Sequence, residues 1–219
     1  MVEQVEDTEG SGFAPERLKR AALRLFSARG IDAVPVREIV TASGERNNAS
    51  LHYYFGSKEG LVRELIIECA ELSEGRRLER LERLEAEGGP KEPADIVRLL
   101  VEVEATPRIE GDSGAFGHGS GHMRFVMALQ ITNRQRLQAA LEGRANPGYE
   151  RCVEHLHRLL SGIPRPLLNQ RLIFMDLFLG ASLAARETAF EGGGDGGKLW
   201  RSPDALDNLV DSACGALVT

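Results

Sequence analysis

Between Arg46 and Lys58 the chain reads Arg-Asn-Asn-Ala-Ser-Leu-His-Tyr-Tyr-Phe-Gly-Ser-Lys: short polar side chains, then an imidazole, two phenols and an ammonium. Groups of this kind recognise a surface rather than make bonds. An Asn amide can pair with adenine through two hydrogen bonds, an Ala methyl can touch the thymine methyl, and Tyr and Lys can hold phosphate oxygens. Together they suit a helix that enters a DNA groove. Arg46, Asn47, Asn48, Ala49 and Ser50 would stand at the end of that helix nearest the bases, while Leu51 and Phe55, one turn apart, would fix its apolar side. Tyr53 projects away from Leu51, and Lys58 opens a following helix, where unpaired backbone N–H groups favour a phosphate. Tyr54 is read as core with Leu51 and Phe55. In isolation Asn47 and Asn48 would be turn or capping residues and Lys58 a solvated lysine; only the surrounding pattern makes them a reading head.

The elements that must position these groups follow from punctuation and periodicity. A first helix opens at Pro15, beside Glu16, and closes before Gly30, with Leu18, Ala22, Leu25 and Phe26 as its apolar stripe and Lys19, Arg20 and Arg24 off it. A second starts at Pro35, buries Val36, Ile39 and Val40, and ends near Ala42 because Ser43-Gly44 breaks it. The third spans Asn47 to Phe55, and Ser57 caps a fourth whose apolar positions are Leu61, Leu65 and Ile66. Residues 72–87 form a charged amphipathic helix that can continue the fourth; its Arg-Leu-Glu repeat is too short for a coiled coil. Further helices are predicted over Pro93–Thr106, Met123–Leu141, Tyr149–Leu160, Pro164–Phe190 and Pro203–Val218, with loops over Gly111–Gly121 and Gly192–Gly197 and a turn at Asn146-Pro147-Gly148.

Composition agrees with an all-α reading. The 219 residues are 42% hydrophobic and 27% charged, rich in Leu, Ala, Arg and Glu and poor in aromatics. The net charge of -6 argues against indiscriminate coating of nucleic acid, but its distribution is uneven. Residues 1–12, expected from their polar, acidic composition to form a flexible tail, hold four acids and no base; residues 13–66 hold nine bases and six acids; residues 67–219 hold 18 bases and 23 acids. A mildly basic module on an acidic body suits site-specific, dimer-assisted binding. No stretch is apolar enough for a membrane span and the acidic start is unlike a signal peptide, so a cytoplasmic protein with no membrane partner is expected. Cys69, Cys152 and Cys214 are too scattered for a disulfide framework or zinc site. His118 and His122 flank a glycine run, His155 and His157 point to different helix faces, and neither pair has a third ligand, so no metal site is expected. No GxSxG, HExxH or P-loop motif occurs; neither catalytic residues nor a cofactor are expected.

Residues 17–65 resemble the DNA-binding domain of the TetR/AcrR family of bacterial transcriptional regulators. The resemblance is carried by Ala21, Leu25, Phe26, Gly30, Val36-Arg37-Glu38-Ile39, Ala42, Leu51, Tyr53, Phe55, Ser57-Lys58 and Leu61. It implies a three-helix DNA-binding domain with a helix-turn-helix over residues 13–66, and a helical ligand-binding and dimerisation domain over 67–219. Carried over by position, Asn48, Ala49 and His52 would face bases, Ser50, Tyr53 and Lys58 would hold the backbone, and Arg37 could reach the groove from the preceding helix. The chain departs from the family in one added residue between Ala42 and Leu51, in Pro35 where a phosphate-binding threonine is frequent, and in His52 where tyrosine is frequent. The resemblance further implies a small-molecule pocket, for which Leu100, Glu104, Met123, Phe125, Val126, Leu129, Phe174 and Phe178 are candidate lining residues. The function expected is a dimeric repressor, paired through residues 164–190 and 203–218 and released from a double-stranded operator by that ligand. An activator, a ligand-independent regulator, or a helical small-molecule-binding bundle or enzyme are the alternatives.

Overall fold

The computed structural model describes residues 13–47, 49–105, 121–192 and 196–218, and among them every regular element is a helix. Four helices lead: α1 (Ala14–Arg29), α2 (Val36–Ala42), α3 (Ala49–Phe55) and α4 (Lys58–Ala86). Pro15 sits in the first turn of α1, where its missing N–H costs nothing, and Gly30 ends the helix at a φ of 80°. Ser57 Oγ accepts the Gly60 N–H at 3.0 Å and so caps α4, which runs unbroken for 29 residues. The charged segment after residue 72 is thus a continuation of the fourth helix.

The rest of the chain builds α5 (Pro93–Ala105), α6 (His122–Thr132), α7 (Arg134–Leu141), α8 (Pro147–Leu159), α9 (Arg165–Glu191), the single turn α10 (Gly196–Trp200) and α11 (Ala205–Val218). Several boundaries differ from the sequence expectation, each for a local reason. The helix expected over 123–141 is two helices, because Asn133 turns its side chain to accept the Arg136 N–H at 3.2 Å and caps a new start. Pro147 and Gly148 begin α8 instead of forming a turn, since proline is well placed in a first turn. The glycine run 192–197 is not all loop: Gly196 and Gly197 open α10. Letter for letter this run satisfies GxGxxG, but the element that precedes it is helix α9 and not the strand that a dinucleotide site needs. Residues 106–120, which include His118 and most of the expected loop, lie outside the described residues, as do 1–12 and Asn48.

Two apolar cores result. Leu18, Leu23 and Phe26 of α1, Ile39 of α2, Leu51 of α3 and Leu61 and Leu65 of α4 form the first, and Phe125, Leu129 and Ala140 of α6 and α7 complete it. Val97 and Val101 of α5, Leu156 of α8, Met175 and Leu183 of α9 and Val210 and Leu217 of α11 belong to the second. Helix α6 therefore bridges the cores, packing on α9 and on α1. Lys19, expected off the buried stripe, is buried as well. Burial alone would lower its pKa, but Glu16 and Glu68, each 2.6 Å away, raise it. Helix α9 is 27 residues long and contains an 18-residue stretch of mean hydropathy 1.2, so by length and composition it passes for a membrane span, contrary to expectation. It nevertheless packs on α5, α6, α10 and α11, and Arg171, Asp176, Arg186 and Glu187 interrupt it.

Candidate nucleic-acid interface and ligand cavity

The turn between α2 and α3 is built around Ser43 and Glu45. Ser43 is buried, its hydroxyl donating to Val40 O at 2.8 Å, and Gly44 takes the left-handed φ of 76° that the reversal requires. Arg17 of α1 donates from Nε to Ser43 O at 3.3 Å and also pairs with Glu45. Ser50 donates its hydroxyl to the other oxygen of Glu45 at 3.3 Å, so one carboxylate ties α1, the turn and the start of α3 together. Leu51, fully buried, anchors the inner side of α3. Glu45 was not legible as a structural keystone in the sequence, because its partner Arg17 is 28 residues away.

Helix α3 starts at Ala49 rather than Asn47. The Asn47 side chain accepts the Ala49 N–H at 2.9 Å, a local bond that competes with helix formation and leaves Asn47 outside the first turn. Arg37, Arg46, Asn47, Ala49, His52 and Tyr53 are all exposed, Tyr53 at 81%. Ser50 is half-buried and engaged with Glu45, and Lys58 is half-buried with Nζ 5.7 Å from the centre of the Phe26 ring. Tyr54, expected in the core, is instead 37% exposed: it bridges the rings of Tyr53, 4.9 Å away, and Phe13, 6.1 Å away. Helical phase explains this, since a residue flanked by Tyr53 and Phe55 lies at the margin of a narrow buried stripe.

Gly60 also positions the face and escaped the sequence reading. A Cβ there would collide with the carbonyl oxygen of Phe55, so its absence lets the last turn of α3 lie on the first turn of α4. A glycine inside a helix start was the available signal.

In the second half a cavity of about 750 Å³ is lined by Cys69, Ser73, Arg77, Leu78, Glu104, His122, Met123, Val126 and Leu137 among others. A second cavity of about 320 Å³, bordered by Leu100, Met127, Gln130, Tyr149, Ile173 and Leu177, has Arg77, Glu104, Met123 and Val126 in common with it. Of the expected lining residues the structure brings Leu100, Glu104, Met123 and Val126 to these walls. It does not bring the others. Phe125 and Leu129 turn the opposite way on α6 into the first core, where Phe125 stacks 6.2 Å from Phe26. Phe174 and Phe178 point outward from α9, 64% and 40% exposed. Opposite faces of one helix separate residues that composition alone groups together.

The polar wall of the larger cavity is an ion cluster. His122 Nδ1 lies 3.0 Å from Glu187 and Nε2 lies 3.4 Å from Glu104. Burial would lower the His122 pKa, but hydrogen bonds to both carboxylates overcome this and push it up to about 9. Burial would likewise raise Glu104 and Glu187, yet the cationic His122 holds both below the usual carboxylate range. Glu187 also accepts the Met123 and Arg124 N–H groups at 3.2 and 3.0 Å, capping α6 from α9. Ser73 donates to Glu104 at 3.0 Å, Arg77 stands 3.7 Å from Glu104, and its guanidinium lies over the Tyr149 ring at 5.5 Å. Among the described residues no group of three or more His, Cys, Asp or Glu is arranged to hold a metal ion.

Residues 18–65 match the family described as bacterial regulatory proteins, tetR family. No curated protein is significantly similar to the chain. Solved structures are similar over nearly the whole length. A transcriptional regulator from Rhodococcus sp. Rha1 is 18% identical, with 94% of this chain and 96% of that one covered at a TM-score of 0.57. A protein described as a TetR-family transcriptional regulator from Rhodococcus sp. is 14% identical, with 93% and 98% covered at 0.52. The superantigen PfiT is 16% identical, with 92% and 95% covered, also at 0.52. At these identities the likeness is one of fold.

Proposed function

We propose, from the match of residues 18–65 to the tetR family of bacterial regulatory proteins, that the protein is a dimeric, cytoplasmic transcriptional repressor that a small-molecule ligand releases from its operator. The observation that carries the reading is the exposed set Arg37, Arg46, Asn47, Ala49, His52 and Tyr53, held on the fully buried anchor Leu51 and braced by Glu45. With Asn48, these residues meet the major groove, Ala49 and His52 facing bases and Tyr53 and Lys58 the backbone. Ser50 reaches phosphate only by sharing its hydroxyl with Glu45, so its part is chiefly to set the pitch of α3.

Helix α9 supports dimerisation. Ile173, Phe174, Leu177 and Phe178 form an exposed apolar strip at helical spacing, a surface that a second copy buries. Helix α11 contributes differently from expectation, since Leu209, Val210, Ala213 and Leu217 face inward and Asp207, Asn208, Asp211 and Ser212 face out. Two-fold pairing then sets the recognition helices about one DNA turn, ~34 Å or somewhat more, apart.

Ligand release is supported by α6, whose Met123 and Val126 line the cavities while Phe125 and Leu129 sit in the core of the DNA-binding head. A ligand that favours one position of α6 thereby shifts the head, provided it binds that position better. The test is selection of duplexes from a random pool by the purified protein, with affinity followed against salt. A DNA-reading dimer returns an inverted repeat and loses affinity steeply as salt rises. Retention of no duplex at low salt would refute the reading.

A further inference from the structure

We infer that His52 is a hydrogen-bond acceptor toward DNA, and that it selects an amino-bearing base, cytosine or adenine, on the strand it faces. The inference rests on the DNA-binding reading above and adds the chemistry of one contact. His52 is exposed on α3, and its Nδ1 lies 2.9 Å from the carbonyl oxygen of Gly56. A carbonyl can only accept, so Nδ1 must carry the proton. In neutral imidazole the other nitrogen, Nε2, then has a bare lone pair, and no partner within the described residues takes it.

The orientation is fixed by the backbone. Gly56 adopts a φ of 70°, the left-handed conformation that ends α3, and its N–H donates to His52 O at 2.9 Å while its carbonyl receives the ring. Gly56 is thus the positioning residue and His52 the reader. In the major groove cytosine offers its N4 amino group and adenine its N6 amino group, both donors; guanine offers N7 and O6 and thymine O4, all acceptors. An acceptor-only nitrogen pairs with the first two and meets lone pairs on the others. Tyrosine, frequent at this place in the family, carries a hydroxyl that can donate or accept, so the histidine narrows the choice.

The experiment compares wild-type protein with His52→Ala in selection from a random duplex pool, and then probes wild type with base analogues. At the position whose preference the substitution abolishes, either base pair offers one amino group in the major groove, cytosine N4 or adenine N6, and wild type should depend on that group. Replacing that base by 2-pyrimidinone or purine, which lack the amino group, should weaken wild type by roughly 2- to 10-fold, the range of one hydrogen bond. The same replacement should leave His52→Ala unchanged. A His52-dependent position indifferent to loss of its amino group overturns the inference, as does a half-site with no His52-dependent position. Each of these leaves DNA binding standing, whereas recovery of no duplex removes both.

Discussion

Substituting His122 by Gln should remove a specific band of pH-dependent stability. In the folded protein His122 is held between Glu104 and Glu187, with Arg77 beside the first and Arg124 beside the second, and its pKa is pushed up from 6.5 to about 9. A raised pKa contributes stability that is fully present below the unfolded value and is lost as pH rises through the folded one. Below pH 6.5 both states hold the proton. Between 6.5 and about 9 only the folded state does, so stability falls by about 1.4 kcal/mol per pH unit, and the whole window corresponds to about 3 kcal/mol. The assay is urea unfolding of wild type and His122→Gln at half-unit steps from pH 6 to 9.5, taken as a difference. Burial pushes the Cys152 thiol up to about 11, which adds its own pH dependence, but that contribution is common to both proteins and cancels. Wild type should lead most at pH 6 and the two should converge above pH 9; parallel curves across the window would refute the cluster's charged state.

Three further outcomes follow from the packing. Gly60→Ala places a methyl group against the Phe55 carbonyl and should cost about 1–3 kcal/mol, with DNA affinity falling together with stability; an unchanged melting temperature would show that the α3–α4 contact yields easily. Phe174→Asp puts a charge at the centre of the exposed α9 strip and should convert the proposed dimer to monomer by light scattering at micromolar concentration, whereas a dimer that persists in the variant would move the interface elsewhere. Lys58→Ala should weaken binding to all duplexes alike and reduce the salt slope by about one, while a sequence-selective loss would contradict a phosphate role.

The helices around the DNA-binding face were legible from the sequence because their signals are local. Pro15 and Gly30 bound α1, Ser57 caps α4, and Leu51 marks the inner side of α3, each through bonds or periodicity that act within about a turn. The errors at Asn47 and Asn133 are also local: in both, an asparagine side chain took a backbone N–H and moved a helix boundary that apolar spacing did not mark. What tertiary structure alone decided lies farther apart along the chain. Glu45 gained its role by meeting Arg17, and His122 became a stable cation by falling between Glu104 and Glu187, 18 residues before it and 65 after it. The same applies to the cavity, where Phe125 and Phe174 share the composition of a lining residue but face away from it. Amino-acid type sets what a side chain can bind; the azimuth of its helix and the neighbours brought in by folding set what it does bind, and neither is encoded within one turn.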